Sequence, residues 1–254
     1  MSDRSGTGLP ASIEAAWGVR ERPPKGPRPA LSLERIVDAA ARVAAADGLA
    51  AVSMSRVAAD LGVSTMSLYR YVASKDELLA LMADLPFEAS PAPRGPEESW
   101  RGALARWAWT ERTVLRRNPW VLRIPISGPP ITPNSILWLE RGLDCLGDTG
   151  LREDEKLSVM LLVTGYVRSQ ATLEAEISAA QAAGAAAPDP EMLPSYGRLL
   201  ARLTDPERFP ALHEVIAAGV FDAQDDGDYD FTFGLERVLD GIEKLIETRR
   251  TARG

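Results

Sequence analysis

SMSRVAADLGVSTMSLYRYVASKDE, residues 53–77, is the stretch whose reading decides the fold. Ser53 is placed to cap a helix, and Val57 with Leu61 forms an apolar stripe at i, i+4 spacing. Gly62 supplies the left-handed residue that stops this helix after about two turns. Val63 turns inward, Ser64 caps a second short helix, and Leu68 and Val72 make that helix's inward side. Its outward side is left with Thr65, Met66, Ser67, Tyr69, Arg70 and Tyr71; none is acidic and several donate hydrogen bonds. Two short helices with a glycine turn between them make a helix-turn-helix, whose second helix lies in a major groove of DNA. The same spacing fits an ordinary corner between two helices of a helical protein, and spacing alone leaves both readings open.

Upstream, Ser32 caps a helix from Leu33 to about Asp47, with Gly48 as its stop and Ile36, Ala40 and Val43 on one face. Downstream, Ser74 and Glu77 form a capping box, in which each satisfies the other's free backbone N–H, and Leu78, Leu79 and Met82 continue inward. Lys75 falls in that first turn, an unfavourable place for a cation unless a phosphate is held there; the alternative is a plain surface lysine. Residues 1–30 show no clear core beyond a short amphipathic turn at Ala11–Trp17. The segment ERPPKGPRPA is stiffened by proline, and Arg20, Arg22, Lys25 and Arg28 make it basic. It reads either as an arm along a DNA strand or as a solvated tail. Three regions follow: a flexible arm over 1–30, a helix-turn-helix head over 31–84 and a helical body over 85–254.

Composition supports this division. With 254 residues and 45% hydrophobic content, the chain has room for a small and a large domain. The net charge of −7 is unevenly placed: residues 1–76 hold ten Lys+Arg against eight Asp+Glu, a balance of +2, which leaves −9 for the rest. A mildly basic head on an acidic body suits DNA at one end and another task at the other. Cys145, as the single cysteine, can form no internal disulfide, and no uncharged stretch is apolar and long enough to span a bilayer. Ser2–Pro10 is polar, without the apolar run of a signal peptide. Together these point to the cytoplasm.

The run LERIVDAAARVAAADGLAAVSMSRVAADLGVSTMSLYRYVASKDELLALM, residues 33–82, resembles the DNA-binding region of the TetR family of transcriptional regulators. The resemblance implies an all-α, homodimeric repressor of palindromic double-stranded operator DNA. It also implies a C-terminal domain that binds a small inducer and moves the two DNA heads apart. By position, Thr65, Met66, Ser67 and Arg70 would face bases, while Tyr69, Tyr71 and Lys75 would hold phosphates. Ser64 at the helix cap and Lys25 and Arg28 in the arm complete the expected DNA face. Ser55 belongs to it too, but falls where tetracycline repressors carry a base-reading arginine, so their operator sequence does not transfer. The C-terminal half is similar to a tetracycline-repressor-type body in residues 118–124 (NPWVLRI), 133–140 (PNSILWLE) and 233–243 (FGLERVLDGIE).

The body reads as helices throughout. Pro86 and the PAPRGP segment form a linker on which the head can pivot. Helices follow from Glu97 to about Asn118, where Asn118-Pro119 breaks the chain, from Ser135 to Leu146 and from about Glu153 to Ala183. Two shorter helices lie near 190–203 and 206–219, and the last runs from Phe231 to Arg249. The long helix is apolar on more than one face, which predicts burial on several sides. Dimerisation is expected through the long helix and the last helix; the stripe of the last helix is wider than its own core needs, so Phe233, Val238, Leu239 and Ile242 are expected to meet a partner subunit. Five of the six tryptophans fall between Trp100 and Trp138. Trp107 is in register with Trp100 and Leu104, and neighbours two apart, such as Trp107 and Trp109, point about 200° away from each other. Trp100, Trp107 and Trp138, with Tyr166 and Gln170 as polar contacts, would wall a cavity for a hydrophobic or aromatic effector, which Gly165 would border; aromatics at this spacing also simply fill cores.

Enzymatic chemistry finds little support. His213 is the only histidine, and there is no GxSxG elbow, Walker A or GxGxxG sequence. Asp222, Gln224, Asp226 and Gly227 resemble a calcium loop, but Phe233 stands where the bidentate glutamate is required. No cofactor or metal is expected. The two rivals to a ligand-responsive repressor are a constitutive DNA-binding regulator with a filled body and a helical enzyme of another type.

Overall fold

The computed structural model describes residues 8–19, 31–182, 196–222 and 227–252. Among the described residues there are eleven α-helices and no strand. They pack as two compact units, Met1–Thr172 with Leu239–Gly254, and Leu173–Val238.

In the first unit, α2 (Leu33–Asp47) starts at Ser32, whose hydroxyl accepts the Arg35 N–H, and presents Ile36, Val37, Ala39, Ala40, Val43 and Ala44 as its buried face. The alanines let α3 (Met54–Leu61) and α5 (Lys75–Asp84) pack on the same helix. Ser53 caps α3 by accepting the Arg56 N–H at 3.2 Å. Gly62 ends it at φ 67°, ψ 31°, where its own N–H and that of Val63 reach back to the carbonyls of Ala59 and Ala58. A residue with a Cβ would meet steric resistance of about 1–2 kcal/mol in that conformation. The turn delivers the chain into α4 (Thr65–Tyr69), a five-residue helix that buries Leu68.

The start of α5 departs from the reciprocal capping box. Ser74 Oγ accepts the Glu77 N–H at 3.1 Å, but Glu77 Oε2 reaches past Ser74 to the Ala73 N–H, also at 3.1 Å. The same oxygen accepts the Ser12 hydroxyl at 2.7 Å. Ser12 belongs to α1 (Ala11–Ala16), which corrects the expectation of a coreless arm at these residues. Ile13 is buried, α1 packs on α5, and Trp17 Nε1 donates to the Ile131 carbonyl at 2.8 Å. One isoleucine in six residues is a faint pattern; tertiary partners hold this helix. Lys25 and Arg28 lie outside the described residues.

The larger helices of the chain are α6 (Trp100–Arg117), α7 (Pro133–Cys145), α8 (Glu153–Ala182) and α11 (Tyr229–Thr251), with α9 (Tyr196–Leu203) and α10 (Pro210–Ala217) between the last two. His213 on α10 bonds Thr204, just after α9, with its Nε2 at 2.9 Å from the hydroxyl. Among the described residues no helix is long and apolar enough to cross a membrane.

The segment expected to pivot is instead tied down. Pro86 sits in a 3-10 turn, Leu85–Phe87, that follows α5 directly. Asp84, the last residue of α5, is buried and caps the start of α7: its carboxylate accepts the Ser135 N–H at 2.7 Å, the Ser135 hydroxyl at 2.8 Å and the Asn134 N–H at 3.2 Å. Thr132, at the N-cap position, makes no such bond itself. Farther on, the Arg94 N–H donates to Asp144 at 3.1 Å and its guanidinium pairs with Asp148. Arg106 binds the Ala92 carbonyl and both oxygens of Glu98, which holds that carboxyl down to about 2. Proline spacing advertised a linker, but the polar side chains around it bond it to α6 and to the residues at the end of α7.

Asp84→Ala leaves the first turn of α7 without its acceptor and should destabilise the fold by about 1–3 kcal/mol. In urea unfolding the midpoint should fall with the slope unchanged; an unshifted midpoint would remove Asp84 from this role.

Candidate nucleic-acid interface and effector core

Leu68 and Val72 are fully buried, and they hold α4 so that its opposite side faces out. Met66 is 73% exposed, Tyr69 and Arg70 are exposed, and Thr65 and Ser67 are half-buried beside them. Ser64 is exposed and accepts the Ser67 N–H, and the two hydroxyls lie 2.9 Å apart. Ser55 is exposed on α3, and Lys75 is exposed at the first position of α5. Tyr71 is exposed at its ring, but its hydroxyl already donates to the Leu31 carbonyl at 3.0 Å, so it fastens the end of α4 to the entry of α2. The structure thus brings the described members of the sequence-derived DNA set onto or beside one short helix. An outward row of donors with a guanidinium and no carboxylate is suited to base edges and phosphates.

Of the residues expected to line an effector site, Trp107 and Trp138 come together. Their rings lie 5.9 Å apart edge to face, and Trp107 Nε1 donates to the Trp138 carbonyl at 3.0 Å. Trp138 Nε1 in turn donates to the Phe87 carbonyl at 2.6 Å, and the Phe87 ring stands 5.0 Å from it. Both indole donors are therefore satisfied by the chain, which leaves ring faces for any further contact. Gly142 lies under this cluster, where an added Cβ would meet the Met160 side chain at 2.1 Å and Trp107 at 3.3 Å. Trp100 and Tyr166 are half-buried, as is Gln170 one turn after Tyr166. Trp109 points elsewhere, with the buried Arg112 guanidinium 5.0 Å over its ring. Gly165 borders no cavity: it is exposed and an added Cβ would meet open space.

One group in this core was missed in the sequence. Glu111 is 5% exposed on the inner face of α6, and its Oε2 has no hydrogen-bond partner. Burial pushes its carboxyl up to about 8, while the nearby Arg168 guanidinium of α8 pulls weakly the other way. The signal was present, since Glu111 continues the Leu104, Trp107, Leu115 register that faces inward.

The expected subunit contacts need correction. Leu239 is fully buried and Ile242 nearly so, together with Phe231, Leu235 and Ile246, within a single chain. Ion pairs flank Leu239 and Ile242: Arg101 of α6 pairs with Asp240 and Glu243, and Arg249 pairs with Glu155 of α8. Val238 is half-buried; only Phe233, 54% exposed and stacked on Tyr229 at 6.3 Å, remains outward from the expected set. Exposed apolar side chains also lie on the long helix α8, the other element expected to meet a partner. Val159, Met160, Val163, Val167 and Ala171 are buried, whereas Leu157, Leu161 (76% exposed), Leu162 and Leu173 are not. The long helix is thus buried on one side of the chain and bare on the other.

Two family models match the chain: "Bacterial regulatory proteins, tetR family" over residues 36–82 and "Tetracyclin repressor-like, C-terminal domain" over residues 92–246. The chain is 36% identical over 264 aligned residues to the HTH-type transcriptional repressor DrrR1 of Streptomyces coeruleorubidus, covering 98% of this chain and 91% of that protein. Among solved structures it is similar to the TetR family protein ActR of Streptomyces coelicolor in complex with actinorhodin, with a TM-score of 0.69 and 25% identity over 85% of this chain and 98% of ActR. The complex of ActR with (S)-DNPA gives the same TM-score of 0.69 with 26% identity, over 84% and 98% of the two chains.

Glu111 sets a pH dependence whose sign follows from its raised value. Between its ordinary value of 4.5 and about 8, the folded chain keeps a proton that the unfolded chain has released. Stability contributed by this group is therefore present at low pH and lost as pH rises through that window, by at most roughly 1.4 kcal/mol per pH unit. Glu111→Gln should flatten the slope between pH 5.5 and 7.5 (about the middle of the window) and raise stability at its upper end. Urea titrations giving parallel slopes for the two proteins would show that Glu111 is not the group responsible.

Proposed function

Because the chain belongs to the tetracycline-repressor family of bacterial transcriptional regulators, we propose that it acts as a homodimeric repressor that a hydrophobic small molecule releases from a palindromic operator. The observation that carries the DNA part is the outward set on α4, held in place by the buried Leu68 and Val72 beneath it. Thr65, Met66, Ser67 and Arg70 read base edges; Ser55, Ser64, Tyr69 and Lys75 support the contact at its margins. Tyr71 joins the phosphate contacts only by trading its bond to the Leu31 carbonyl. Residues 31–84 serve as the DNA head and 85–254 as the effector and dimerisation body, in the cytoplasm where the operator is.

Two features support release by a ligand. ActR, similar in fold over most of its length, has been crystallised with actinorhodin and with (S)-DNPA. In this chain, Trp138 is shared between the aromatic core and the head, since it touches Trp107 on one side and Phe87, next to the end of α5, on the other. A ligand that displaces Trp138 or α7 acts directly on α5. Two heads match successive major grooves only when their recognition helices stand about 34–36 Å apart, so a modest rotation of each is sufficient for release. A full switch requires about 5 kcal/mol of differential affinity between the two arrangements.

Selection from random duplex DNA should return a two-fold-symmetric motif. Arg70→Ala should lower affinity for it by about 1–3 kcal/mol and relax one base per half-site, while Tyr69→Phe weakens all sequences alike. Unchanged affinity and base preference in Arg70→Ala would refute the assignment of α4.

The dimer surface is the bare side of α8, Leu157, Leu161 and Leu162 with Gly165 between turns. Glycine there lets a second helix approach closely, and burying three leucines contributes about 1.5–3 kcal/mol each. Leu161→Glu should sediment as a folded monomer with much reduced operator affinity. A wild-type chain that is monomeric at micromolar concentration, or a dimeric Leu161→Glu, contradicts this surface.

A further inference from the structure

The Glu111 carboxyl is a buried polar group that the DNA-binding reading leaves unused. It lies on the inner face of α6, one helical turn after Trp107 and one before Leu115, with Ala108 and Arg112 buried on either side. Its Oε2 accepts no hydrogen bond, although the chain satisfies the neighbouring donors: Trp107 Nε1 binds the Trp138 carbonyl and Trp138 Nε1 binds the Phe87 carbonyl. Arg168 approaches as a charge but makes no hydrogen bond to that oxygen. A buried acceptor left open costs free energy in the unliganded chain, and such groups recur where a ligand supplies the missing partner.

We propose that Glu111 is the polar anchor of the effector site and that the effector carries a protonated amine on an aromatic or apolar body. This rests on the ligand-responsive reading and names the ligand's chemistry. An amine cation satisfies the open oxygen with a charge-assisted hydrogen bond. The same cation is attracted to the faces of Trp107 and Trp138, whose N–H edges are already occupied by backbone carbonyls. A neutral amide on the same body lacks the charge that strengthens the hydrogen bond and draws the group to the ring faces.

The test uses the full-length protein and a series of one- to three-ring aromatic primary amines, each paired with its N-acetyl derivative, which keeps the rings and removes the charge. Binding is followed by quenching of tryptophan fluorescence without DNA. At least one amine should bind about tenfold or more tightly than its acetylated partner, and the preference should vanish in Glu111→Gln and in Glu111→Leu. Circular dichroism and operator binding of the variants serve as the control that the fold is intact; should one variant fail it, the other and the wild-type amine-to-acetyl ratio still decide. Equal binding of amine and amide, tighter binding of the amide, a preference that survives in Glu111→Gln, or no binding by any amine overturns the proposal. An independent operator-release screen with neutral and acidic aromatic compounds keeps the two levels apart. Release by one of those would remove the amine while leaving ligand response standing, whereas no release by any compound would remove both.

Discussion

The carboxylate of Asp84 joins the end of α5 to the beginning of α7, and the placement of these two helices against each other depends on that joint. The first N–H groups of a helix have no partner within it. In α7 the N-cap side chain does not supply one, and Asp84 does, from the helix that carries the head. Buried carboxylates are costly without donors, and here three donors from Asn134 and Ser135 surround one group. The bond pattern therefore fixes α5 against α7 in both distance and direction. Two more ties flank it: the Trp138 indole on the Phe87 carbonyl, and the Trp17 indole on the Ile131 carbonyl just before α7. Through Ser12 and Glu77, α1 grips the other end of α5 as well. The link between α5 and α7 is thus a hydrogen-bonded joint rather than a loose hinge.

Among the described residues, two of the unmet physical demands bear on a second species; Arg141 Nε is buried without a hydrogen bond as well. One is apolar: the leucines of α8 that face outward, in a helix whose opposite side is a tightly buried stripe. The other is polar: an acceptor oxygen of Glu111 shut inside α6 and its neighbours. Either would weaken a protein that functioned as a lone, unliganded monomer. In the proposed assembly each is met by a second species, a copy of the same chain on α8 and a ligand at Glu111. The consistency of most local choices in the sequence makes such exceptions informative, because violations of local rules gather where function requires them. Both lie on helices that also meet α11, through Arg101 from α6 and Glu155 from α8, so dimer surface and core share a framework.

Much of the head was decided by the sequence alone. Ser32, Ser53, Ser64 and Ser74 each occupy a cap, Gly48 and Gly62 end their helices, and Leu68 with Val72 determines which side of α4 is left outside. These are local interactions, complete within three or four residues, so the order of residues suffices to specify them. In the body the sequence determined the helices and the break at Asn118-Pro119, for the same reason. Only tertiary structure decided what each helix face meets. Periodicity marked Leu239 and Ile242 as apolar without saying whether a neighbour in the same chain or in another would cover them, and the fold of the single chain buries them. Prolines near residue 86 suggested a pivot because the pattern shows stiffness but not the partners of Asp84, Arg94 and Arg106, which come from up to about fifty residues away. Hydrogen bonds at that separation depend on where folding brings distant groups together, and this is why the joint, the α1 strap and the buried Glu111 were decided in three dimensions.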